Sequence, residues 1–287
     1  GDAVAFDVDA SLALVGASHD ATPVGGPGAG SVRVYARTGT SWRPESTMIE
    51  PETSVEGFGF AIALTPDASR VVIGTRGDDA IAEDAGSVRI FVRSGTAWTR
   101  EAILRPPAVA AFDHVGQAAA VSDDGTRTLV GMGSNTRGFA YVFLRTGTAW
   151  TLETTMGVEP GAVTSFAAQA VLSADGTLAL LGAVADDVPG TTAGSVRLWV
   201  RRGTDWTEDS TLRAPDGAAN DVFGGAIAMT PDATRILVSA PQDDVGGVPD
   251  RGSAWVFAPQ TALGEACGGD GACTSAHCVD GVCCDDA

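Results

Sequence analysis

Lysine is absent from this chain of 287 residues, and its 18 basic residues are all arginine. A phosphate loop of the Gly-Lys-Ser/Thr type, a Schiff base and a lysine general base are therefore excluded. Cysteine is absent from the first 266 residues, histidine occurs three times, and aromatic residues make up only 6%. No apolar run approaches the roughly 18 residues that a membrane-spanning helix needs, so membrane insertion is not expected. Positive charge is scarce: 36 carboxylates stand against those 18 arginines, leaving a formal charge of -18 and a pI near 4.3. Such a surface repels nucleic acids and anionic membranes and concentrates cations. What is plentiful is apolar content, at 44%, together with 37 glycines and 14 prolines, which suits a folded chain rich in turns.

The chain repeats itself. GSVRVYARTGTSW (30–42), GSVRIFVRSGTAW (86–98), GFAYVFLRTGTAW (138–150) and GSVRLWVRRGTDW (194–206) are copies of one segment, and GSAWVF (252–257) opens a fifth. Their first glycines, Gly30, Gly86, Gly138, Gly194 and Gly252, lie 56, 52, 56 and 58 residues apart. An aromatic residue follows five positions later, as Tyr35, Phe91, Phe143, Trp199 and Phe257. Trp42, Trp98, Trp150 and Trp206 close the first four copies, whereas Gly264 stands at that place in the fifth. Upstream of each copy runs LALVGA, RVVIGT, RTLVGM, LALLGA or RILVSA, preceded by Asp9, Asp67, Asp124, Asp175 or Asp232 in a turn. Asp and Gly between apolar runs are hairpin chemistry, because Asp bonds its own backbone and Gly accepts positive φ.

Each repeat thus predicts four short strands, and no segment sustains a helical period. In SVRIFVR, Val88, Ile90 and Val92 share one face, and Arg89, Phe91 and Arg93 the other. Apolar or aromatic residues on both faces require a neighbouring sheet on each side, so the copies must stack. Radial stacking of four-stranded sheets gives an all-β fold, a β-propeller of four-stranded blades. Five repeats are expected (about 1–54, 55–110, 111–163, 164–221 and 222–262), the last incomplete, followed by a small Cys-rich segment at 263–287.

The FG pair of the first strand (FGFAIAL, 58–64; FGGAIAM, 223–229), the VIGT or VGA ending the second, the acidic loop and the closing GSVxxFxRxGTxW resemble the FG-GAP repeat. That repeat forms the blades of integrin-α-type propellers and of many secreted bacterial proteins. The likeness covers residues 1 to about 260 and implies an extracellular adhesive or ligand-binding propeller. The family commonly closes with seven blades, and five are visible here.

Cys267, Cys273, Cys278, Cys283 and Cys284 are clustered in an otherwise Cys-free acidic chain. This pattern predicts a disulfide-stapled module made outside the cytosol. Zinc is the competing reading, but the spacing lacks paired CxxC knuckles and His277 is the only nearby imidazole. Five is odd, so a bridge to a partner outside the cluster is expected, with the connectivity open. Gly1 falls inside a motif and the fifth copy lacks its GTxW turn. The expectation is that preceding sequence, a neighbouring molecule or the tail completes that sheet.

Four residues beyond each second strand stands Asp20, Asp78, Asn135, Asp186 or Asp243, with a second acid at Asp79, Asp187 and Asp244. These loop acids are the ligand-binding candidates. One reading makes them Asx-turns, and the other makes Asp78, Asp79, Asp186, Asp187, Asp243 and Asp244 calcium ligands. No loop has the full D-x-[DN]-x-[DN]-G order, so an obligate calcium site is not expected, and no other cofactor is implied. Arg76-Gly77-Asp78 spells the tripeptide that integrins bind, but the repeat already accounts for its aspartate. The five aromatics could stack on sugars, although one recurrent position suggests packing between blades. The tryptophans closing the repeats are expected to anchor each fourth strand against its own blade. His19, His114 and His277 lie far apart in the repeat, and no HExxH or GxSxG motif occurs.

The function expected is therefore a non-catalytic, secreted or cell-surface recognition module that binds a protein or glycan through its loops. A structural subunit joined edge to edge, as a homo-oligomer through the incomplete last blade, is the rival. A glycan-active hydrolase is the weaker alternative.

Overall fold

The computed structural model describes residues 1–52, 55–107, 109–133, 138–157, 163–187, 190–258, 278–279 and 282–283. Blade 1 comprises β1 (Ala3–Phe6), β2 (Leu12–Ala17), β3 (Ser31–Thr38) and β4 (Ser41–Met48). Blade 2 follows as β5 (Val55–Leu64), β6 (Arg70–Asp78), β7 (Ser87–Ser94) and β8 (Ala97–Leu104). Blade 3 contains β9 (Val115–Val121), β10 (Arg127–Met132), β11 (Phe139–Thr146) and β12 (Ala149–Gly157). Blade 4 contains β13 (Val163–Leu172), β14 (Leu178–Asp186), β15 (Ser195–Arg202) and β16 (Asp205–Leu212). The described strands of blade 5 are β17 (Ile227–Met229), β18 (Ile236–Ala240) and β19 (Ser253–Phe257). Strands pair antiparallel in chain order within every blade. In the tail, β20 (Cys278–Val279) pairs with β21 (Val282–Cys283). Cys267, Cys273 and Cys284 lie outside the described residues, as does Asn135.

Local chemistry sets each hairpin. Between the first and second strands of blade 2, the Thr65 hydroxyl donates to Asp67 at 2.7 Å. Asp67 in turn accepts the Ser69 N–H, and the Arg70 N–H donates back to the Thr65 oxygen. Ser122 and Asp124, Ser173 and Asp175, and Thr230 and Asp232 repeat this turn. Blade 1 departs from the expected pattern: Asp7, at the Ser/Thr position, receives the N–H groups of Ser11 and Leu12. Asp9 contributes its backbone carbonyl to Arg37 instead. The third and fourth strands join through two-residue turns whose first residues, Gly39, Gly95, Gly147 and Gly203, have φ between 62° and 66°. That is the demand behind every Gly-Thr pair.

Four buried side-chain clusters hold the blades, one at each boundary from blade 1–2 to blade 4–5. Glycine permits the close approach of the backbones. A Cβ on Gly74 of β6 would lie 2.0 Å from the carbonyl oxygen of Gly116 in the next blade. Gly30, Gly86 and Gly194 form parallel bridges to Phe58, Val115 and Phe223 of the following blade.

The tryptophans correct the expectation about their packing. Trp98, Trp150 and Trp206 turn towards the preceding blade rather than their own, joining the clusters at the 1–2, 2–3 and 3–4 boundaries. Glu101 of β8 shows why: it accepts from Arg70 of its own blade at 3.0 Å. From blade 3 it accepts Arg145 at 3.1 Å and the Trp150 indole N–H at 3.0 Å. Glu153 does the same with Arg127, Arg201 and Trp206. Burial opposes ionisation of both glutamates, but these donors outweigh it and hold their carboxyls below the ordinary value. The recurrent aromatics Phe91, Phe143, Trp199 and Phe257 also pack at these boundaries.

Candidate functional site

The loops joining second to third strands gather at one end of the blades. In blades 2, 4 and 5 the first aspartate, Asp78, Asp186 or Asp243, is buried. Asp78 is 1% exposed at the end of β6. Its carboxylate accepts the Ser87 hydroxyl at 2.5 Å and Arg105 at 2.7 Å, pairs with Arg89 at 3.2 Å, and accepts the Ala80 N–H at 3.1 Å. Its backbone carbonyl accepts the N–H of Gly86, closing the loop on itself. Asp186 repeats the arrangement with Ser195 at 2.6 Å, Arg213 at 2.9 Å and Arg197 at 3.4 Å. Asp20 holds Ser31 and Arg33, and the Asp243 carbonyl accepts the Gly252 N–H. Burial would raise the Asp78 carboxyl, but Arg89, Ser87, the Ala80 N–H and Arg105 outweigh it and set it below its usual range. Ser31 and Arg33 lower Asp20 in the same sense.

The second acids serve the loop backbone. Asp79 accepts the N–H of Asp84 at 2.6 Å, Asp187 that of Thr192 at 2.7 Å, and Asp244 that of Asp250 at 3.0 Å. Asp84, Thr192 and Asp250 all have positive φ, at 48°, 57° and 54°, a strained conformation that the carboxylate holds in place. The loop acids are thus turn formers, and Asp78 and Asp186 are neutralised by two arginines each. Asp78, Asp186 and Asp243 are thereby withdrawn from the surface, whereas Asp79, Asp187 and Asp244 stay exposed. Among the described residues, no three His, Cys, Asp or Glu side chains converge to hold a metal ion. The Arg76-Gly77-Asp78 tripeptide likewise presents no free aspartate.

Apolar tips are what these loops turn outward: Val24 in the first, Ile81 in the second, and Val245 and Val248 in the last are exposed. Between the first two loops lies a cleft of about 250 Å³ lined by Ser18, His19, Glu56, Arg76 and Asp84 among others. Arg76 covers the Phe60 ring, 4.8 Å from its centre. Nearer the axis, the first strands of blades 1 to 4 border a cavity of about 410 Å³, lined mainly by alanines with Asp2, Phe60, Gln117 and Gln169. Sequence reasoning missed the tips, since single aliphatics in Gly- and Pro-rich loops carry no periodicity.

Stacked antiparallel sheets of this order, with the first strands innermost, define a β-propeller. Residues 206–257 match the FG-GAP repeat family, from Trp206 through the three described strands of blade 5. The recurrence of the closing motif in blades 1 to 4 and the β-propeller fold support reading the other blades as repeats of the same kind. No curated protein matches the sequence. Among solved structures it is similar to the hydrazine synthase of Kuenenia stuttgartiensis, at 14% identity and a TM-score of 0.60, over 92% of this chain and 64% of that one. The periplasmic gluconolactonase PpgL of Pseudomonas aeruginosa is similar at 16% identity and a TM-score of 0.55, over 92% and 74%. A functionally unknown protein of Desulfotomaculum acetoxidans gives 11% identity and a TM-score of 0.55, over 89% and 69%. This chain therefore spans about two thirds to three quarters of their lengths, and at these identities the likeness is one of fold.

Proposed function

We propose that this chain is a non-catalytic recognition module working outside the cytoplasm, which binds a protein or glycan at a cell surface through the loop end of its blades. The observation that carries this reading is that aliphatic tips are exposed on loops whose first acids are buried and already paired. Asp78 and Asp186 are buried beneath the loops, the exposed Asp79 and Asp187 hold loop N–H groups at the surface, and Val24, Ile81, Val245 and Val248 face solvent. Exposed aliphatics on fixed loops suit an interface, since little conformational entropy is lost when the partner docks. Beside them, His19, Glu56, Arg76 and Asp84 give the cleft a polar wall that can select orientation. The acidic surface favours partners that are neutral or basic. No helix among the described residues is long and apolar enough to cross a membrane. The lactonase named among the similar structures lends the fold alone, so a hydrolase remains the weaker alternative. Binding of the purified chain to arrays of cell-surface proteins and glycans tests the proposal. Capture that Ile81→Asp abolishes supports it, and turnover of an arrayed glycan without stable capture overturns it.

A further inference from the structure

Every inner boundary uses the same two half-faces. The face turned to the following blade presents Leu14, Val32 and Val34 in blade 1, Val72, Val88 and Ile90 in blade 2, and Leu129, Ala140 and Val142 in blade 3, all fully buried. In blade 5 the equivalent residues are Leu237, Ala254 and Val256, and here Leu237 is 45% and Val256 65% exposed. The face turned to the preceding blade presents Ile62, Leu64 and Trp98 in blade 2, packed against blade 1. In blade 1 the equivalents are Val4, Phe6 and Trp42, exposed at 54%, 54% and 39%. Phe6 and Trp42 lie edge to face, their ring centres 5.8 Å apart, so they form one apolar patch. Among the described residues no buried cluster joins blade 5 to blade 1.

We infer that these two faces are the halves of a head-to-tail interface between copies of this chain, blade 5 of one copy covering blade 1 of the next. The occupant is argued from continuity. Each face carries the side chains that its inner counterparts bury, and the chain itself bears both halves in the matching repeat positions. Gly252 keeps a φ of 72°, like Gly30, Gly86 and Gly194, but the atoms nearest to an added Cβ there belong to Pro241 of its own blade rather than to a neighbouring one. Such an interface is heterologous: each copy uses two different patches, so the assembly grows into a ring or a filament rather than a closed two-fold dimer. A charge of -18 per copy opposes the association, so salt strengthens it by screening. This inference is independent of what the loops bind.

The test uses the full chain in sedimentation velocity from about 1 to 100 µM, a range that reveals weak and moderate self-association. Concentration-dependent oligomers that grow with added salt are expected. Val256→Asp and Phe6→Asp each place a charge on one exposed face and leave the inner boundaries untouched, and matched melting curves establish that both variants fold. Each variant alone is expected to be monomeric. Mixed one to one, they are expected to give a dimer and nothing larger, because only one intact pair of faces remains. A wild-type monomer throughout the range overturns the inference. So does a Val256→Asp variant that still self-associates, or a mixture that gives no dimer.

Discussion

Trp150 donates its indole N–H to Glu101 across the boundary between blades 2 and 3, at 3.0 Å. Glu101 also holds Arg70 and Arg145, so one carboxylate ties together the second strand of its own blade and the third and fourth strands of the next. Trp150→Ala is expected to cost about 3 to 5 kcal/mol, as truncation of a large packed side chain does. Trp42→Ala, at the same repeat position but 39% exposed, is expected to cost under about 1 kcal/mol. Urea unfolding of the two variants checks the contrast, and equal losses would refute the inter-blade role.

Glycine makes the same boundary possible through the backbone. Gly74→Ala drives a methyl to within 2.0 Å of the Gly116 carbonyl oxygen and is expected to cost about 3 kcal/mol. Gly39→Ala sits at a hairpin tip with open space around it, and only its positive φ opposes the change, by about 1 kcal/mol. Denaturant midpoints compared under one set of conditions decide between them.

Gly74 and Gly39 were legible in the sequence because each recurs at a fixed place in the repeat, and so were the period, the strand number per repeat and the hairpin turns. The orientation of Trp150 was not. A strand with apolar residues on both faces does not reveal which neighbour each face meets. The burial of Asp78 was not legible for a related reason: it depends on Arg89 of β7 and on Arg105 just beyond β8, which a loop sequence does not reveal. Asp7 escaped notice because it performs the turn's capping with a carboxylate where the other repeats use a hydroxyl.

Acid is expected to destabilise the fold through Asp78, Glu101 and Glu153. Their folded carboxyls titrate below ordinary values of 3.8, 4.5 and 4.5, so their contribution is present above those values and lost as pH falls through the depressed ones. Glu50 works in the opposite sense. Burial and the neighbouring Glu52 raise its carboxyl despite Arg89 and Arg100, so its cost to the fold grows as pH rises above 4.5. Melting curves should show a steep fall in Tm below about pH 4. Glu101→Gln should flatten that fall, and an unchanged acid limb would contradict the assignment.

Calcium should matter little. Asp78 and Asp186 already meet two arginines each, and Asp79, Asp187 and Asp244 already hold backbone N–H groups. Chelation is expected to shift Tm by no more than about 3 °C, the scale of nonspecific cation effects on an acidic chain of this size. A drop of more than about 10 °C would mean several kcal/mol of metal binding and would reverse the reading of these loops.

The division of labour within the loops is tested most directly by one paired measurement on Ile81→Asp and Asp78→Asn, in which Tm and capture by a cell-surface protein or glycan array are read for both. Ile81 is exposed, so Ile81→Asp should leave Tm within about 1 °C and abolish capture. Asp78→Asn leaves Arg89 and Arg105 short of their carboxylate and should lower Tm by about 5 to 10 °C, a loss of a few kcal/mol. With the loop still folded at low temperature, its capture should persist. The reverse pattern, in which Asp78→Asn binds nothing at full stability and Ile81→Asp binds normally, would place the ligand on the acids and contradict the account.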